Sequence, residues 1–163
     1  MLFRSDGIDH WQGGPHENEL IALSWDELRK LDAAGWEVGS HTCSHPWLTH
    51  CDDATLEHEL GESFARCSDE LGKPCISLAY PYGDEDPRVV EATRAAGYLA
   101  ACTVPALLQE GDLLRWPRIG MYHDETDRSF AVKVSPVVRG LRRSALGPPA
   151  MQAMRAVRSR GRS

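Results

Sequence analysis

The sequence predicts an α/β fold built on a parallel sheet. Two observations carry this. Segments with the helical apolar period alternate with short segments of period two, in the order helix, strand, helix, strand, helix, strand. The residues richest in chemistry, His41 to Pro46 and Pro81-Tyr82-Gly83, fall directly after predicted strands. Sites in parallel α/β sheets form at the carboxyl ends of strands.

The elements follow in order. Ser24 and Glu27 are spaced as a capping box, Leu28 and Leu31 begin an apolar stripe, and Gly35 is a natural stop, so a helix is predicted over 25–34. Trp36 to Ser40 alternates apolar with polar or small residues and reads as a strand ending at His41. Over 53–72, Leu56, Leu60, Phe64, Cys67 and Leu71 put one apolar stripe on a long helix, which Gly72 and Pro74 end. A second strand over 75–80 is broken by Pro81-Tyr82-Gly83. The next helix covers 87–96, with Pro87 in its first turn and Gly97 at its end. A third strand follows over 98–103, and a fourth over 115–122, which Pro117 restricts to an edge or a strand start. A last helix is predicted over 125–134.

Composition agrees with one folded domain. The 163 residues are 42% hydrophobic and 26% charged, and are enough for a sizeable core. No run approaches the roughly 18 apolar residues of a membrane span. The first residues, Met1 to Gly7, show no apolar secretory stretch. That implies a cytoplasmic protein if Met1 is the true start, and leaves export open if it is not. The five cysteines form no CxxC pair and read as free thiols acting as small apolar residues. The net charge of -6 hides an asymmetry: the last acid is Asp127, and seven arginines follow between Arg139 and Ser163. We therefore expect a domain over 1–138 and a basic, flexible tail over 139–163. The tail reads as a solvated extension, with no specific nucleic-acid partner implied.

His41 and His45 lie four apart, with Pro46 behind them. Imidazole is the commonest neutral ligand for zinc and similar ions, and two on one turn can meet one ion. A catalytic zinc also takes a third protein ligand and keeps an open position. His10, Trp11 and His16 sit in a loop rich in Gly and Pro, whereas His50 and His58 read as exposed polar positions.

The run Gly35-Trp36-Glu37-Val38-Gly39-Ser40-His41-Thr42-Cys43-Ser44-His45-Pro46 resembles the metal-binding motif of the polysaccharide deacetylase family (the NodB homology domain). Ala79-Tyr80-Pro81-Tyr82-Gly83 resembles that family's second loop, and Gly97-Tyr98 and Trp116 to Gly120 resemble later segments. The resemblance implies a distorted (β/α) barrel and hydrolysis of acetyl groups on an acetylated carbohydrate. It makes His41 and His45 ligands of a divalent metal, zinc by preference, which polarises the acetyl carbonyl and activates water. It makes the Tyr82 backbone N–H a donor to the developing oxyanion. It offers His123, in Met121-Tyr122-His123-Asp124, as the general acid.

The resemblance is incomplete. The family's Thr-Phe-Asp-Asp-Gly motif, source of the catalytic base and third ligand, does not occur. Ser5-Asp6-Gly7 is a poor substitute, because only one helix is predicted between Asp6 and His41. Met1-Leu2-Phe3 reads instead as the end of a second barrel strand, so the expectation is an N-terminally truncated barrel. Ala79 also stands where many members carry Arg. Three readings remain open: a metal-dependent deacetylase, impaired as the chain stands, a noncatalytic remnant that binds carbohydrate or a partner, and a binding module that uses the basic tail from Arg139 to Arg162.

Overall fold

The first predicted helix forms where its caps are. In the computed structural model, which describes residues 23–104, 112–120 and 126–143, α1 spans Trp25–Ala33. Both arms of the capping box are made: Glu27 N donates to Ser24 Oγ at 3.4 Å and Ser24 N donates to Glu27 Oε2 at 2.8 Å. The long helix α2, Asp53–Leu71, begins with the Asp52 carboxylate accepting from Thr55 N and ends on Gly72 in the left-handed region. Helix α3, Pro87–Ala95, starts with Asp86 as cap and proline in its first turn.

Strands β1, Ser77–Ala79, and β2, Ala100–Thr103, pair in parallel, with Ser77 opposite Ala100 and Ala79 opposite Cys102. On the other side of β1, Ser40 forms a parallel bridge with Leu78, through Ser40 N to Ser77 O and Ala79 N to Ser40 O, both 2.9 Å. The α/β class is therefore present. Closure into a barrel is not seen among the described residues.

Among the described residues, one buried cluster forms the core of the segment that carries α2, α3, β1 and β2. Leu56 and Leu60 of α2 and Val89 and Val90 of α3 pack with Leu78, Ala101, Tyr80 and Tyr98. The predicted α2 stripe is the buried face, with Phe64 partly covered. Glu59 and Ser63, which the stripe did not include, are buried on it as well. All five cysteines are free thiols, Cys67 and Cys75 buried.

Two strand expectations need correction. Over 36–40 the chain is not a strand; only Ser40 is bridged. Trp36 is exposed, so the alternation there marks an extended entry rather than a half-buried strand. Of the strand expected over 115–122, the described part, 115–120, forms only β3, Trp116–Pro117, with Leu113–Arg115 in a 3-10 turn, and 121–122 lie outside the described residues. Proline has no N–H to continue a ladder.

The chain divides into two compact units, Met1–Thr103 with Leu113–Arg115, and Val104–Asp112 with Trp116–Ser163. The second contains β3, α4 at Asp127–Val134 and α5 at Pro136–Arg142. Helix α5 was not expected. Its signal is Ser135-Pro136, an N-cap followed by proline in the first turn. The expected domain boundary at 138/139 falls inside α5, and tail residues 144–163 lie outside the described residues. No helix among the described residues is long and apolar enough to cross a membrane.

Gly39 is where the entry segment comes closest to β1. A Cβ there would lie 2.6 Å from Ser77 Oγ and 3.1 Å from Ser77 O. The hydroxyl can rotate away, but the carbonyl belongs to the Ser40 bridge. Gly39→Ala is expected to destabilise the protein by about 1–3 kcal/mol, the usual range for overpacking. Urea unfolding curves check this, and an unchanged midpoint would contradict the close approach.

Candidate metal site

The Ser40 bridge delivers His41 to the end of β1. There its Nδ1 lies 2.5 Å from the carbonyl oxygen of Ala79. A carbonyl only accepts, so Nδ1 carries the proton and the lone pair is on Nε2. A carbonyl that takes the proton of one ring nitrogen in this way orients the other toward a metal. The His45 ring meets His41 edge-on, with centroids 4.7 Å apart and planes at 73°.

The turn between them is strained. Thr42 and His45 have φ of 67° and 60°. Left-handed backbone disfavours residues with a Cβ by roughly 1–2 kcal/mol each. His45 also precedes proline, which favours extended backbone at that position. Local bonds hold the turn: Thr42 Oγ1 accepts from His45 N at 3.1 Å, and Ser40 Oγ accepts from Thr42 N at 3.4 Å. Strain of this kind persists where surrounding structure over-determines it, and it clusters at functional sites.

Pro81–Gly83 forms a 3-10 turn directly after β1. Tyr82 has φ 59° and is the third left-handed residue other than glycine among the described residues. The bonds of this turn run from Gly83 N to Tyr80 O and Asp84 N to Pro81 O, and do not use the Tyr82 N–H. The Tyr82 ring sits edge-to-face with His45 at 4.6 Å and stacks on Trp47 at 4.1 Å and 8°. Both aromatic rings are half exposed, 50% for Tyr82 and 49% for Trp47. Asp84 then ties the loops together, accepting from Thr49 N and Thr49 Oγ1 at 2.9 Å.

Glu59 of α2 sits behind the histidine turn. Its Oε2 accepts from Cys43 N at 2.8 Å and Ser44 N at 2.9 Å, and its Oε1 accepts from Ser44 Oγ at 2.5 Å. Burial, and then the Glu59 carboxylate, push the Cys43 thiol up to about 11. Cys43 therefore stays protonated at neutral pH and offers no thiolate nucleophile beside the imidazoles. The sign for stability follows. The folded state holds this proton more tightly, so the contribution is complete below about 9 and is lost as pH rises toward 11.

His41, His45 and Tyr82 are thus brought together, Tyr82 by the turn after β1 and the histidines by the single Ser40 bridge rather than by the strand expected before His41. Glu59, Trp47 and Asp84 are functional neighbours that sequence reasoning missed. Glu59 did leave a signal, a carboxylate three residues past Leu56 on the apolar stripe. His50 and His58 are exposed. His123, with Ser5, Asp6, His10, Trp11 and His16, lies outside the described residues. Two imidazole nitrogens fit a zinc-like ion. Among the described residues no group of three His, Cys, Asp or Glu is placed to hold one.

Fold and site together define an α/β protein that presents a histidine pair and a strained aromatic turn at the carboxyl end of a parallel strand. A sequence model described as polysaccharide deacetylase matches residues 8–101, and the chain belongs to that family. A polysaccharide deacetylase of Bacillus cereus is similar in structure, with TM-score 0.59 and 28% identity over 74% of this chain and 39% of that one. The deacetylase PplD of Streptococcus pyogenes, solved in complex with acetate, has TM-score 0.61 and 18% identity over 72% of this chain and 53% of that one. At 18% identity the likeness is one of fold. The chain spans about half or less of these relatives' length.

Proposed function

We propose that this protein acts as a metal-dependent hydrolase that removes acetyl groups from carbohydrate, on a scaffold of the (β/α) barrel type. The observation that carries this reading is the meeting of the two family loops, with His41 oriented by Ala79 O and His45 packed between His41 and Tyr82. His41 and His45 hold the ion, zinc by preference. When bound, such an ion supplies a Lewis acid for the acetyl carbonyl and lowers the pKa of water. The Tyr82 N–H, which the bonds of its own turn do not use, serves as the donor to the oxyanion in this reading, which the left-handed backbone of the loop supports. The stacked rings of Trp47 and Tyr82 offer an apolar face beside His45, against which a sugar ring can pack. We assign proton delivery to the leaving group to His123.

Acetate release from acetylated chitooligosaccharides in the presence of zinc tests this. The expected result is acetate formation that a chelator stops and added zinc restores. A protein that retains zinc and binds the oligosaccharide but releases no acetate, even with an upstream Asp-Asp segment supplied, would favour a noncatalytic carbohydrate-binding role.

A further inference from the structure

We propose that Glu59 is a positioning residue for the metal site: its carboxylate clamps the turn between His41 and His45 and so sets the ligand geometry. This rests on the metal reading above and adds to it a residue outside both family loops. The carboxylate is 4% exposed at the level of the residue and takes three donors, Cys43 N, Ser44 N and Ser44 Oγ. All three belong to the two residues between Thr42 and His45, the two left-handed positions of the turn. The clamp's own position is fixed by the core, because Leu56 and Leu60 of the same helix are buried in the main cluster. Ser63 Oγ also donates to the Glu59 carbonyl at 2.7 Å. The turn is thus anchored to a rigid helix rather than held by its own bonds alone. A carboxylate suits this position because it presents acceptors only, matching two adjacent N–H groups and a hydroxyl.

Calorimetric titration of the metal-free protein with zinc tests the clamp. Glu59→Ala is expected to weaken zinc binding about tenfold to a hundredfold, the range for residues that orient metal ligands. Glu59→Gln should keep most of the affinity. Its amide oxygen can take the two N–H groups and its amide nitrogen can donate to Ser44 Oγ. If Glu59→Ala does not fold, Glu59→Asp serves: its shortened carboxylate cannot reach both N–H groups, so affinity should again fall. Val90→Ala on α3, buried in the same cluster but outside the clamp's helix, is the control, expected to lower the melting temperature while leaving zinc affinity unchanged. Wild-type affinity in Glu59→Ala or Glu59→Asp, or equal loss in Val90→Ala, would overturn the clamp while leaving the two-histidine site intact. Absence of zinc binding by the unaltered protein would overturn both.

Discussion

Replacing His45 by alanine is expected to reduce acetate release by at least about a hundredfold, and zinc content with it. A bound metal supplies several kcal/mol of transition-state stabilisation, and each 1.36 kcal/mol is a factor of ten in rate. Losing one of two imidazoles removes much of that. His41→Ala should do the same and also remove the bond to the Ala79 carbonyl. His58→Ala, at an exposed position on α2, should leave both quantities unchanged. Acetate assays paired with metal analysis of each purified variant make the comparison. A His45→Ala protein that holds zinc as before would refute the ligand assignment.

The second large effect is on stability. Tyr80 is fully buried in the main cluster, and its hydroxyl donates to Leu114 O at 2.9 Å. Tyr80→Ala is expected to destabilise by about 3–5 kcal/mol, as truncation of a large buried ring does. Tyr80→Phe keeps the ring and loses only the hydrogen bond, for about 0.5–1.5 kcal/mol. Denaturant unfolding of both variants separates packing from bonding. Equal losses would show that the hydroxyl, rather than the ring, holds the segment leading into Pro81–Gly83.

The helices of the first unit were legible because their signals are local. Ser24 with Glu27, Gly72 and Pro87 each act within a few residues of the ends they mark. The strands were less so. An alternating pattern identifies extended backbone, but pairing depends on a neighbour, and Trp36 to Gly39 lack one although Ser40 has Leu78. The histidine pair and the Pro81–Gly83 turn were visible as motifs. Their meeting was inferred only through strand order. Glu59 contacts residues 15 and 16 positions away, and Trp47 stacks on a ring 35 positions on. No local period encodes such contacts. Helix α5 was missed because Pro136 reads equally as the end of one helix and the start of another.

Among the described residues, the left-handed positions that are not glycine, Thr42, His45 and Tyr82, all lie in the two loops of the candidate site. Glycine at such a position removes the steric conflict that a side chain creates. The loops therefore carry a conformational debt that the rest of the fold underwrites. Selection for thermal robustness alone would drift toward relaxing these positions, at the expense of whatever the loops bind. Side chains at these positions mark a place where this molecule favours shape over stability.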